Sequence, residues 1–317
     1  MGEEKEKALD LSIVIPILNE AESLPLLHRN LTLALTSLQR PYEIIFVDDG
    51  STDGTYKTLC QLAEKDANVR LIKFRRNFGK AAALSAGFRH ARGGFIVSMD
   101  GDLQDDPAEI PALLAKLDEG WDLVSGWKAQ RHDPLSKRVP SKIFNWFTAR
   151  VTGVHLHDLN CGLKAYRREV LENLPLYGEL HRYIPVMAHE QGFRVTEMKV
   201  LHHPRKFGKS KYSLERYLRG FLDLLTVVLL TRYIRRPLHL FGSIGVLCFA
   251  IGFFINLYLT LLWLSGEPIG HRPLMILGVL LVVTGVQFVS IGLIGELLIR
   301  EKGDSQAHYH IESKRGL

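Results

Sequence analysis

Two carboxylates separated by one residue follow an apolar run in the segment MDGDLQDDP, Met99–Pro107. Asp100 and Asp102 stand where a strand would end, and Gln104 adds an amide oxygen two residues later. Such oxygens suit Mg²⁺ or Mn²⁺, which would bridge a nucleotide diphosphate and neutralise the charge that builds on the leaving group. A solvated acidic turn has the same composition, so the position after a strand of an α/β pattern is what favours a metal site.

The elements that must position these carboxylates alternate between apolar runs and helical patterns. Predicted strands are Leu11–Pro16, a run from Tyr42 that stops at Asp48-Asp49, Val69–Phe74 and Gly94–Asp100. Three helices are predicted: one follows the first strand and ends near Ser37, and the others cover Tyr56–Asp66 and Lys80–Arg92. Short links between them predict a Rossmann-like α/β domain with a mostly parallel sheet. Ligands of such sheets bind beyond the carboxyl ends of the strands, and here each of those ends carries polar residues.

The C-terminal third has a different composition. Leu238–Leu264 contains no Asp, Glu, Lys or Arg, and Pro273–Ile299 contains only Glu296. A run of about 27 residues makes a helix of roughly 40 Å, longer than the ~30 Å hydrocarbon core of a bilayer. We therefore predict two transmembrane helices rather than buried core helices. Glycines in both runs would let these helices pack closely with one another or with another subunit, so a homo-oligomer is an expectation.

Charges around these runs predict their orientation. Arginines and lysines flank the pair on its outer ends, whereas the link SGEPIGHR carries only Arg272 as a fixed positive charge. The positive-inside rule then places both flanks, and the catalytic domain, in the cytoplasm, so we predict a multi-pass protein of the inner (plasma) membrane. The charged N-terminus, MGEEKEKALD, is unlike a signal peptide, and three separate cysteines without a CxxC pair fit a reducing compartment.

Two amphipathic stretches, Ser141–Val151 and Leu214–Leu230, resemble helices that lie in the membrane interface, and packing on the sheet is the alternative. The predicted organisation is a catalytic domain over 1–212, an interfacial and juxtamembrane segment over 213–236, transmembrane helices over 237–300 and a cytosolic tail over 301–317. A net charge of +6 fits a membrane surface or an acidic small substrate. The predicted membrane association explains the excess of basic residues, so we expect no nucleic-acid partner.

The motifs PILNE, VDDGSTDGT, RRNFGKAAALSAGF and MDGDLQ, in this order and spacing, resemble the inverting family-2 glycosyltransferases of GT-A fold. DLNCGLKAYRREV followed by RKFGKSKYS is similar to the polyprenyl-phosphate group, such as dolichol-phosphate mannose synthase. Two C-terminal membrane helices are similar to the bacterial branch that glucosylates undecaprenyl phosphate. The resemblance covers the chain from Leu11 to about Arg300 and implies transfer of a sugar, glucose from UDP-glucose as the first expectation, onto a polyprenyl phosphate.

The resemblance also implies roles for single residues. Those expected to contact the nucleotide sugar are Pro16, Leu18, Glu20, Asp48, Asp49, Lys80, Asp100, Gly101, Lys128, Arg205 and Lys211. Asp48 and Asp49 would hold the base and ribose, and an Asx turn with Gly50 is a compatible second role. Lys80 opens a helix, so it would meet a phosphate beside the N-terminal amides, unless it is a solvated first-turn lysine.

Basic residues in two segments suit the phosphates of donor and acceptor. By resemblance, Arg131, Ser136 and Arg138 meet the acceptor phosphate, and Arg205 and Lys211 contact or close over the donor diphosphate. The segment SGWKAQR departs from the Gly-Ser/Thr-Arg run of dolichol-type enzymes, which leaves open whether Lys128 or Arg131 replaces that arginine. A solvated basic face is the alternative for each of these residues.

Asp158, in HDLNCGLKAY, occupies the position where this family places its catalytic base. A phosphate monoester has a second pKa near 6, so the acceptor is already mostly a dianion at pH 7 and needs a base less than a hydroxyl does. We therefore expect Asp158 to position substrates at least as much as it accepts a proton. A loop or N-cap aspartate is the alternative, and Cys161 is interpreted as structural.

Three further functions stay under consideration. A mannosyltransferase using GDP-mannose onto dolichyl or polyprenyl phosphate would share this framework. A processive polymer synthase would carry a QxxRW motif, which this sequence lacks. A non-catalytic nucleotide-sugar-binding membrane protein would tolerate loss of Asp100, Asp102 and Asp158, all of which are present.

Overall fold

The computed structural model describes residues 9–129, 148–150, 152–172, 174, 176, 178, 180–203, 237–268 and 273–302. The chain forms two compact units that divide in sequence after Val227. The predicted acceptor residues at 131–138, the predicted lid at 205–211 and the interfacial stretch at 214–230 lie outside the described residues. Of the stretch 141–151, only Thr148–Arg150 are described as helical.

The first unit is built on one sheet, confirming the predicted α/β fold. Its strands in the described residues are β1 (Leu11–Ile17), β2 (Tyr42–Asp48), β3 (Val69–Lys73), β4 (Phe95–Ser98), β5 (Leu123–Trp127), β6 (Lys164–Arg167) and β7 (Val195–Lys199). They lie in the order β3-β2-β1-β4-β6-β5-β7. Among the described strands of this sheet, only β6 runs antiparallel to its neighbours, and the other strand pairs are parallel.

Helices and short helical turns connect these strands. In the described residues of the first unit, besides the helical residues Thr148–Arg150, the α-helices are α1 (Leu24–Thr36), α2 (Thr55–Lys65), α3 (Lys80–His90), α4 (Ile110–Asp118), α5 (Arg168–Leu171) and α6 (Ile184–Glu190), with 3₁₀ turns at Pro107–Glu109 and Leu180–Tyr183. The boundaries predicted for β1–β4 and α1–α3 agree with the structure to within two residues, and β4 ends two residues earlier than predicted because Met99 and Asp100 already belong to the loop.

Burial follows the hydrophobic pattern. In α1, Leu24, Leu27, Leu31 and Leu35 recur every three or four residues, and all four are buried in one core with the apolar residues of β1. β1 lies in the middle of the sheet and is covered on both faces, so it reads as a continuous apolar run. The core therefore fixes β1, β2 and β4, whose carboxyl ends carry the predicted site residues.

The reversed strand β6 brings a distant loop to the same edge. Lys164, the first residue of β6, pairs with Ser98, the last residue of β4, and also with Ser125 of β5. Because β6 is antiparallel, its beginning lies where the parallel strands end. The loop that precedes it, with Asp158, therefore reaches the carboxyl edge beside Asp100.

The described residues of the second unit form two helices, α7 (Pro237–Leu264) and α8 (Pro273–Lys302). By length and composition, both are long and apolar enough to cross a membrane, with mean hydropathies of 2.2 for α7 and 2.5 for α8 over their most apolar stretches. They pack along glycines: a Cβ on Gly245 would lie 2.7 Å from the Gly285 carbonyl oxygen, and one on Gly252 would lie 2.6 Å from that of Gly278. These glycines thus serve packing of the two helices with one another.

Candidate active site

Several loops meet at the carboxyl edge of the sheet. The loop after β1 donates the Asn19 N–H to the Ser51 hydroxyl at 2.9 Å, and the Thr52 N–H donates back to the Asn19 Oδ1 at 2.9 Å. Asn19 adopts a φ of 56°, a conformation that these reciprocal bonds stabilise. The loops after β1 and β2 therefore form one rigid wall beside the predicted nucleotide contacts.

Pro16, Leu18 and Glu20 lie on this wall and are half-buried. The Glu20 N–H donates to the Thr55 hydroxyl at 2.9 Å, which ties the end of the β1 loop to the first turn of α2. Gly50 brings the next loop close: its φ is +75°, and an added Cβ would lie 2.4 Å from the Arg76 carbonyl carbon. Nucleotide contact by these residues stays a prediction, and their placement at one edge is compatible with it.

The two neighbouring aspartates at the end of β2 have different surroundings. Asp49 accepts hydrogen bonds from the Phe78 N–H at 2.7 Å and the Gly79 N–H at 3.0 Å, so it holds the loop that leads into α3. Burial raises the pKa of Asp49, and these two amides only partly offset that. Asp48 accepts from the Ser51 N–H at 3.0 Å through Oδ1. Its Oδ2 is buried and has no hydrogen-bond partner within the described residues, which leaves it available to a ligand donor.

Asp100 is paired with Lys80 across the start of α3. The Lys80 ammonium contacts Asp100 Oδ1, and the side chains are 33% and 30% exposed. Burial raises the pKa of Asp100, but the Lys80 and Lys128 ammoniums more than offset it and hold the pKa well below its usual range. Asp100 is therefore ionised, as a metal or hydroxyl ligand must be. Contact of Lys80 with a phosphate stays a prediction. In this structure the partner of the Lys80 ammonium is Asp100.

Lys128 is paired with an aspartate that the sequence interpretation left without a role. Its ammonium lies 3.2 Å from Asp105 Oδ1, and the side chains are 14% and 0% exposed. Burial lowers the pKa of Lys128, yet attraction by Asp105 raises it above the ordinary value. Burial also raises the pKa of Asp105. The pair fixes the acidic turn of residues 100–106 to the end of β5.

The residues of the acidic turn fit a divalent cation by their chemistry. Asp102 is 9% exposed, and its Oδ1 accepts from the Gln104 N–H at 3.2 Å. No cluster of three or more His, Cys, Asp or Glu in the described part of the chain would hold an ion by itself. Two carboxylates and one amide suit Mg²⁺ or Mn²⁺ shared with substrate phosphates and water, since Mg²⁺ is usually bound by few protein ligands. Asp100, Asp102 and Gln104 thus fit a metal that arrives with a nucleotide.

Gly101 allows the acidic turn to lie against β1. An added Cβ would be 2.3 Å from Ile17 Cδ1, and the Gly101 carbonyl accepts from the Ser23 hydroxyl at 3.1 Å. Leu103 adopts a φ of 61°, which is unfavourable for leucine. The backbone between Asp100 and Gln104 is therefore held in one strained shape, as is common where side chains must be aimed at a ligand.

Asp158 is buried, 1% exposed, and its Oδ1 accepts from the Asn160 N–H at 3.1 Å. This bond is the local loop role considered above, and it orients the carboxylate without excluding a substrate role. Both Lys128 and Lys164 lie close enough for their charges to interact with it. Burial raises the pKa of the neighbouring Cys161 thiol to about 12, which is compatible with the structural role expected of this cysteine.

The buried Lys164 was missed by sequence reasoning. Its side chain is 4% exposed, and its ammonium donates to the Cys161 carbonyl, which closes the turn after Asp158. Burial lowers its pKa to about 8. The only sign of this buried lysine in the sequence is its position among apolar residues at the start of a strand. A strand lysine that faces solvent gives the same pattern, so the sequence does not distinguish the two.

A small polar pocket lies beside the ion pair of Lys80 and Asp100. It is lined by Lys80, Leu84, Ser98, Leu159, Asn160, Cys161, Gly162, Lys164, Tyr166, His181 and Arg182. Burial and the nearby cations lower the pKa of His181 well below its usual value, so the imidazole is neutral. Its Nδ1 is buried without a hydrogen-bond partner among the described residues. The pocket therefore offers hydrogen-bonding groups and positive charge next to Asp158 and Asp100.

A mostly parallel seven-stranded sheet with aspartates gathered at its carboxyl edge defines a transferase of GT-A fold. The sequence profile of Glycosyl transferase family 2 matches residues 12–174. The chain therefore belongs to glycosyltransferase family 2, and it is an enzyme of the glycosyltransferase class.

Two relatives are similar over nearly the whole chain. Dodecaprenyl-phosphate galacturonate synthase of Rhizobium johnstonii is 40% identical over 311 residues, covering 96% of this chain and 92% of the relative. Undecaprenyl-phosphate 4-deoxy-4-formamido-L-arabinose transferase of Klebsiella pneumoniae is 37% identical over 300 residues, covering 94% and 90%. Neither name contains glucose, the sugar expected from the sequence.

Solved structures show the same fold at low identity. Glucosyl-3-phosphoglycerate synthase of Mycobacterium tuberculosis, in complex with Mn²⁺ and uridine-diphosphate-glucose, is 21% identical with a TM-score of 0.52, covering 69% of this chain and 79% of that one. Mannosyl-3-phosphoglycerate synthase of Rubrobacter xylanophilus is 16% identical with a TM-score of 0.53, covering 70% and 74%. These likenesses concern the fold alone.

Proposed function

We propose that this protein transfers a sugar from a nucleotide donor to the phosphate of a polyprenyl lipid, with inversion at the anomeric carbon. The observation that carries the proposal is the meeting of Asp48, Asp100 and Asp158 at one sheet edge, in a chain that also has two helices long enough to cross a membrane. Both relatives that cover the chain are named for transfers to a polyprenyl phosphate.

The nucleotide would bind along the wall formed by the loops after β1 and β2. The buried Oδ2 of Asp48 would accept a hydrogen bond from the base or ribose. Asp49 would act through the loop it holds, since both of its oxygens accept backbone N–H groups. Pro16, Leu18 and Glu20 would complete the wall, and Gly101 would let the diphosphate approach the backbone.

Mg²⁺ or Mn²⁺ would be held by Asp102 with Asp100 and Gln104, and would stabilise the negative charge of the departing diphosphate. Lys80, at the beginning of α3, and Lys128, directly after β5, would contact that diphosphate, and in this structure they are paired with Asp100 and Asp105. The bond from the anomeric carbon to the diphosphate oxygen breaks as an acceptor phosphate oxygen forms the new bond from the opposite face, which inverts the configuration.

Asp158 would orient the acceptor and the sugar hydroxyls in this step. Because the acceptor phosphate is mostly a dianion at pH 7, its attacking oxygen needs no proton removed. The neighbouring ammoniums of Lys128 and Lys164 lie close enough for their charges to interact with the Asp158 carboxylate. Arg131, Ser136 and Arg138 would bind the acceptor phosphate, and Arg205 and Lys211 the donor diphosphate, as the sequence predicts.

The sugar is proposed to differ from glucose. The relative at 40% identity is named for galacturonate and that at 37% for 4-deoxy-4-formamido-L-arabinose. The relative of higher identity is the one named for galacturonate. Galacturonate is thus the first donor sugar to test, and UDP-glucose and GDP-mannose are the comparison donors.

The protein is proposed to reside in the inner (plasma) membrane with its catalytic unit on the cytoplasmic face. Arg232, Arg235 and Arg236 precede α7 and Arg300 and Lys302 end α8, so the positive-inside rule keeps both flanks in the cytoplasm. A polyprenyl phosphate and a cytoplasmic nucleotide sugar would then meet at the headgroup level.

The proposal is tested with purified full-length protein, Mg²⁺, a polyprenyl phosphate and a panel of radiolabelled nucleotide sugars. We expect label to enter the lipid phase from UDP-galacturonate, and the product to release sugar with one phosphate on mild acid treatment. The Asp48→Asn variant should bind donor more weakly, whereas Asp118→Asn, an exposed change on α4, should behave as the wild type. Absence of lipid-linked product with every donor would contradict the proposal.

A further inference from the structure

One ring nitrogen of His181 is buried without a use in the fold. Its Nδ1 has no hydrogen-bond partner among the described residues. The residue lies in the 3₁₀ turn Leu180–Tyr183, which packs beside α3. A buried polar atom without a partner costs free energy, and native structures leave few such atoms unpaired. Packing of the chain therefore does not explain why a histidine occupies this position.

A second polar group in the same pocket has hydrogen-bonding capacity to spare. Lys164 and His181 both line the polar pocket. Lys164 is 4% exposed, and within the described residues its ammonium donates to the Cys161 carbonyl. An ammonium carries three protons that can be donated. The pocket thus combines a buried imidazole nitrogen with a buried ammonium, and both can take a further partner.

The lining of this pocket comes from both parts of the proposed site. One part is Lys80, whose ammonium contacts Asp100. The other is the run 159–162, which directly follows Asp158 in the chain. In the proposed reaction Asp100 belongs to the metal and diphosphate, and Asp158 orients the acceptor. The group that lies between a leaving diphosphate and an attacking acceptor is the donor sugar.

We propose that His181 binds a hydroxyl group of the donor sugar through its Nδ1 and thereby helps to select that sugar. The proposal rests on the proposed function, because it names a contact for the donor of that reaction. A buried site that bonds a substrate hydroxyl rejects an analogue without it, since the protein group is then left unpaired. His181 is accordingly a specificity-determining residue rather than a catalytic one.

A hydroxyl is the group whose chemistry fits these two partners. Burial and the nearby cations lower the pKa of His181 well below its usual value, so the ring is neutral and one of its nitrogens accepts. A hydroxyl both donates and accepts, so it can donate to Nδ1 while it accepts from the Lys164 ammonium. A carboxylate has no proton for an accepting Nδ1, and a second ammonium would be repelled by Lys164.

The first test measures donor binding by calorimetry on full-length protein in detergent with Mg²⁺ and without a lipid acceptor. The probe is the nucleotide sugar of the donor panel that the wild type binds most tightly, with UDP-galacturonate tried first, and its nucleoside diphosphate is the reference. His181→Leu should raise the Kd of the nucleotide sugar about tenfold, as expected for one lost buried hydrogen bond, and leave that of the diphosphate within twofold.

A matched control is His189→Leu, at an exposed histidine on α6, which should bind both ligands as the wild type does. Equal losses for the nucleotide sugar and the nucleoside diphosphate would overturn the proposal, because His181 would then support the nucleotide or the fold. No loss for either ligand would also overturn it, because the pocket would then hold no part of the sugar.

A second pair of variants tests the atom. The amide of asparagine lies near the place of Nδ1 in a histidine ring, whereas that of glutamine reaches the place of Nε2. His181→Asn should therefore bind the nucleotide sugar within about threefold of the wild type, and His181→Gln should resemble His181→Leu. If the leucine variant does not fold, this comparison decides alone. The opposite order of the two amides would overturn the assignment to Nδ1.

Donor analogues that each lack one hydroxyl identify the partner of His181. Wild type and His181→Leu should bind the analogue without the contacted hydroxyl equally, because the bond is absent from both complexes. A full tenfold difference with every such analogue would overturn the proposal. Binding that depends on His181, without any lipid-linked product, would support this contact and contradict the proposed function. Transfer to the lipid with an unchanged donor Kd in His181→Leu would do the reverse.

Discussion

The backbone of Gly162 lies directly against the carboxylate of Asp100. A Cβ added to Gly162 would be 2.6 Å from Asp100 Cγ and 2.7 Å from Oδ1, the oxygen that Lys80 contacts. These two residues are 62 positions apart in sequence. They are adjacent at the sheet edge because β6 runs antiparallel to β4. The loop with the proposed catalytic carboxylate and the proposed metal-binding turn are therefore one packed unit.

Gly162→Ala should displace the Asp100 carboxylate and disturb its pair with Lys80. We expect at least tenfold lower transferase activity, since small displacements of reacting groups have large kinetic effects, with little change in the circular dichroism spectrum. Gly94→Ala is the matched control, because its added Cβ meets only the Asp10 carbonyl oxygen, at 3.9 Å. Equal activity of the two variants would contradict a functional role for this contact.

Asp102→Asn should weaken the Mg²⁺ dependence of the reaction and lower turnover by about 100-fold, because an amide neutralises a bound cation less well than a carboxylate. Activity is measured over a Mg²⁺ and Mn²⁺ titration at saturating substrates. Asp106→Asn changes the same type of residue in the same turn, where it accepts from the Ala108 N–H, and should retain near-normal metal dependence. A wild-type protein indifferent to chelator would contradict the metal assignment.

Asp158→Asn should lose less activity at pH 8 than at pH 6. With a second phosphate pKa near 6, about half of the acceptor still carries a proton at pH 6, whereas almost none does at pH 8. A carboxylate that accepts protons therefore matters more at the lower pH, and its positioning role persists at both. The measurement compares kcat/KM for the acceptor in wild type and variant at both pH values; equal losses would indicate positioning alone.

Lys164→Met should raise the stability of the fold at neutral pH. Burial lowers the pKa of Lys164 from 10.5 to about 8, so the unfolded chain holds this proton more tightly than the folded chain. The free-energy cost of burying the protonated Lys164 is therefore fully present below pH 8, and it disappears as the pH rises from about 8 to 10.5. Allowing for the lost bond to the Cys161 carbonyl, we expect a gain of about 2 kcal/mol at pH 7 that shrinks by pH 9.

This gain is measured by denaturation of the full-length protein in detergent at pH 7, 8 and 9. Lys116→Met on α4, where the side chain is 39% exposed, is the control and should show no such trend. A variant that is less stable than the wild type at every pH would contradict this expectation. It would show that the hydrogen bond donated by the Lys164 ammonium stabilises the fold by more than burial of its charge destabilises it.

Gly252→Leu should separate α7 from α8. An added Cβ already lies 2.6 Å from the Gly278 carbonyl oxygen and 2.8 Å from the Val282 nitrogen, so a larger side chain has no space. We expect the melting temperature of the detergent-solubilised protein to fall, with Val246→Leu as the control because Val246 is 63% exposed. If Gly252→Leu instead leaves stability unchanged and alters the oligomeric state, the glycine face serves contact between subunits.

The sequence by itself determined the α/β fold, the boundaries that it predicted for β1–β4 and α1–α3 to within two residues, the two apolar helices and the family. Those features follow from local patterns: apolar periodicity, glycine-rich turns and the order of short motifs. The sequence also placed Asp100 and Asp102 at a strand end, since that position is local.

The tertiary structure alone decided which residues share the site. The reversed direction of β6 brings Asp158, Gly162 and Lys164 to the same edge as Asp100, and no local pattern encodes a strand direction. The ion pair of Lys128 with Asp105 and the division of work between Asp48 and Asp49 likewise depend on contacts across loops. Local sequence fixes an element, whereas the partners of a buried charge are fixed by the packing that surrounds it.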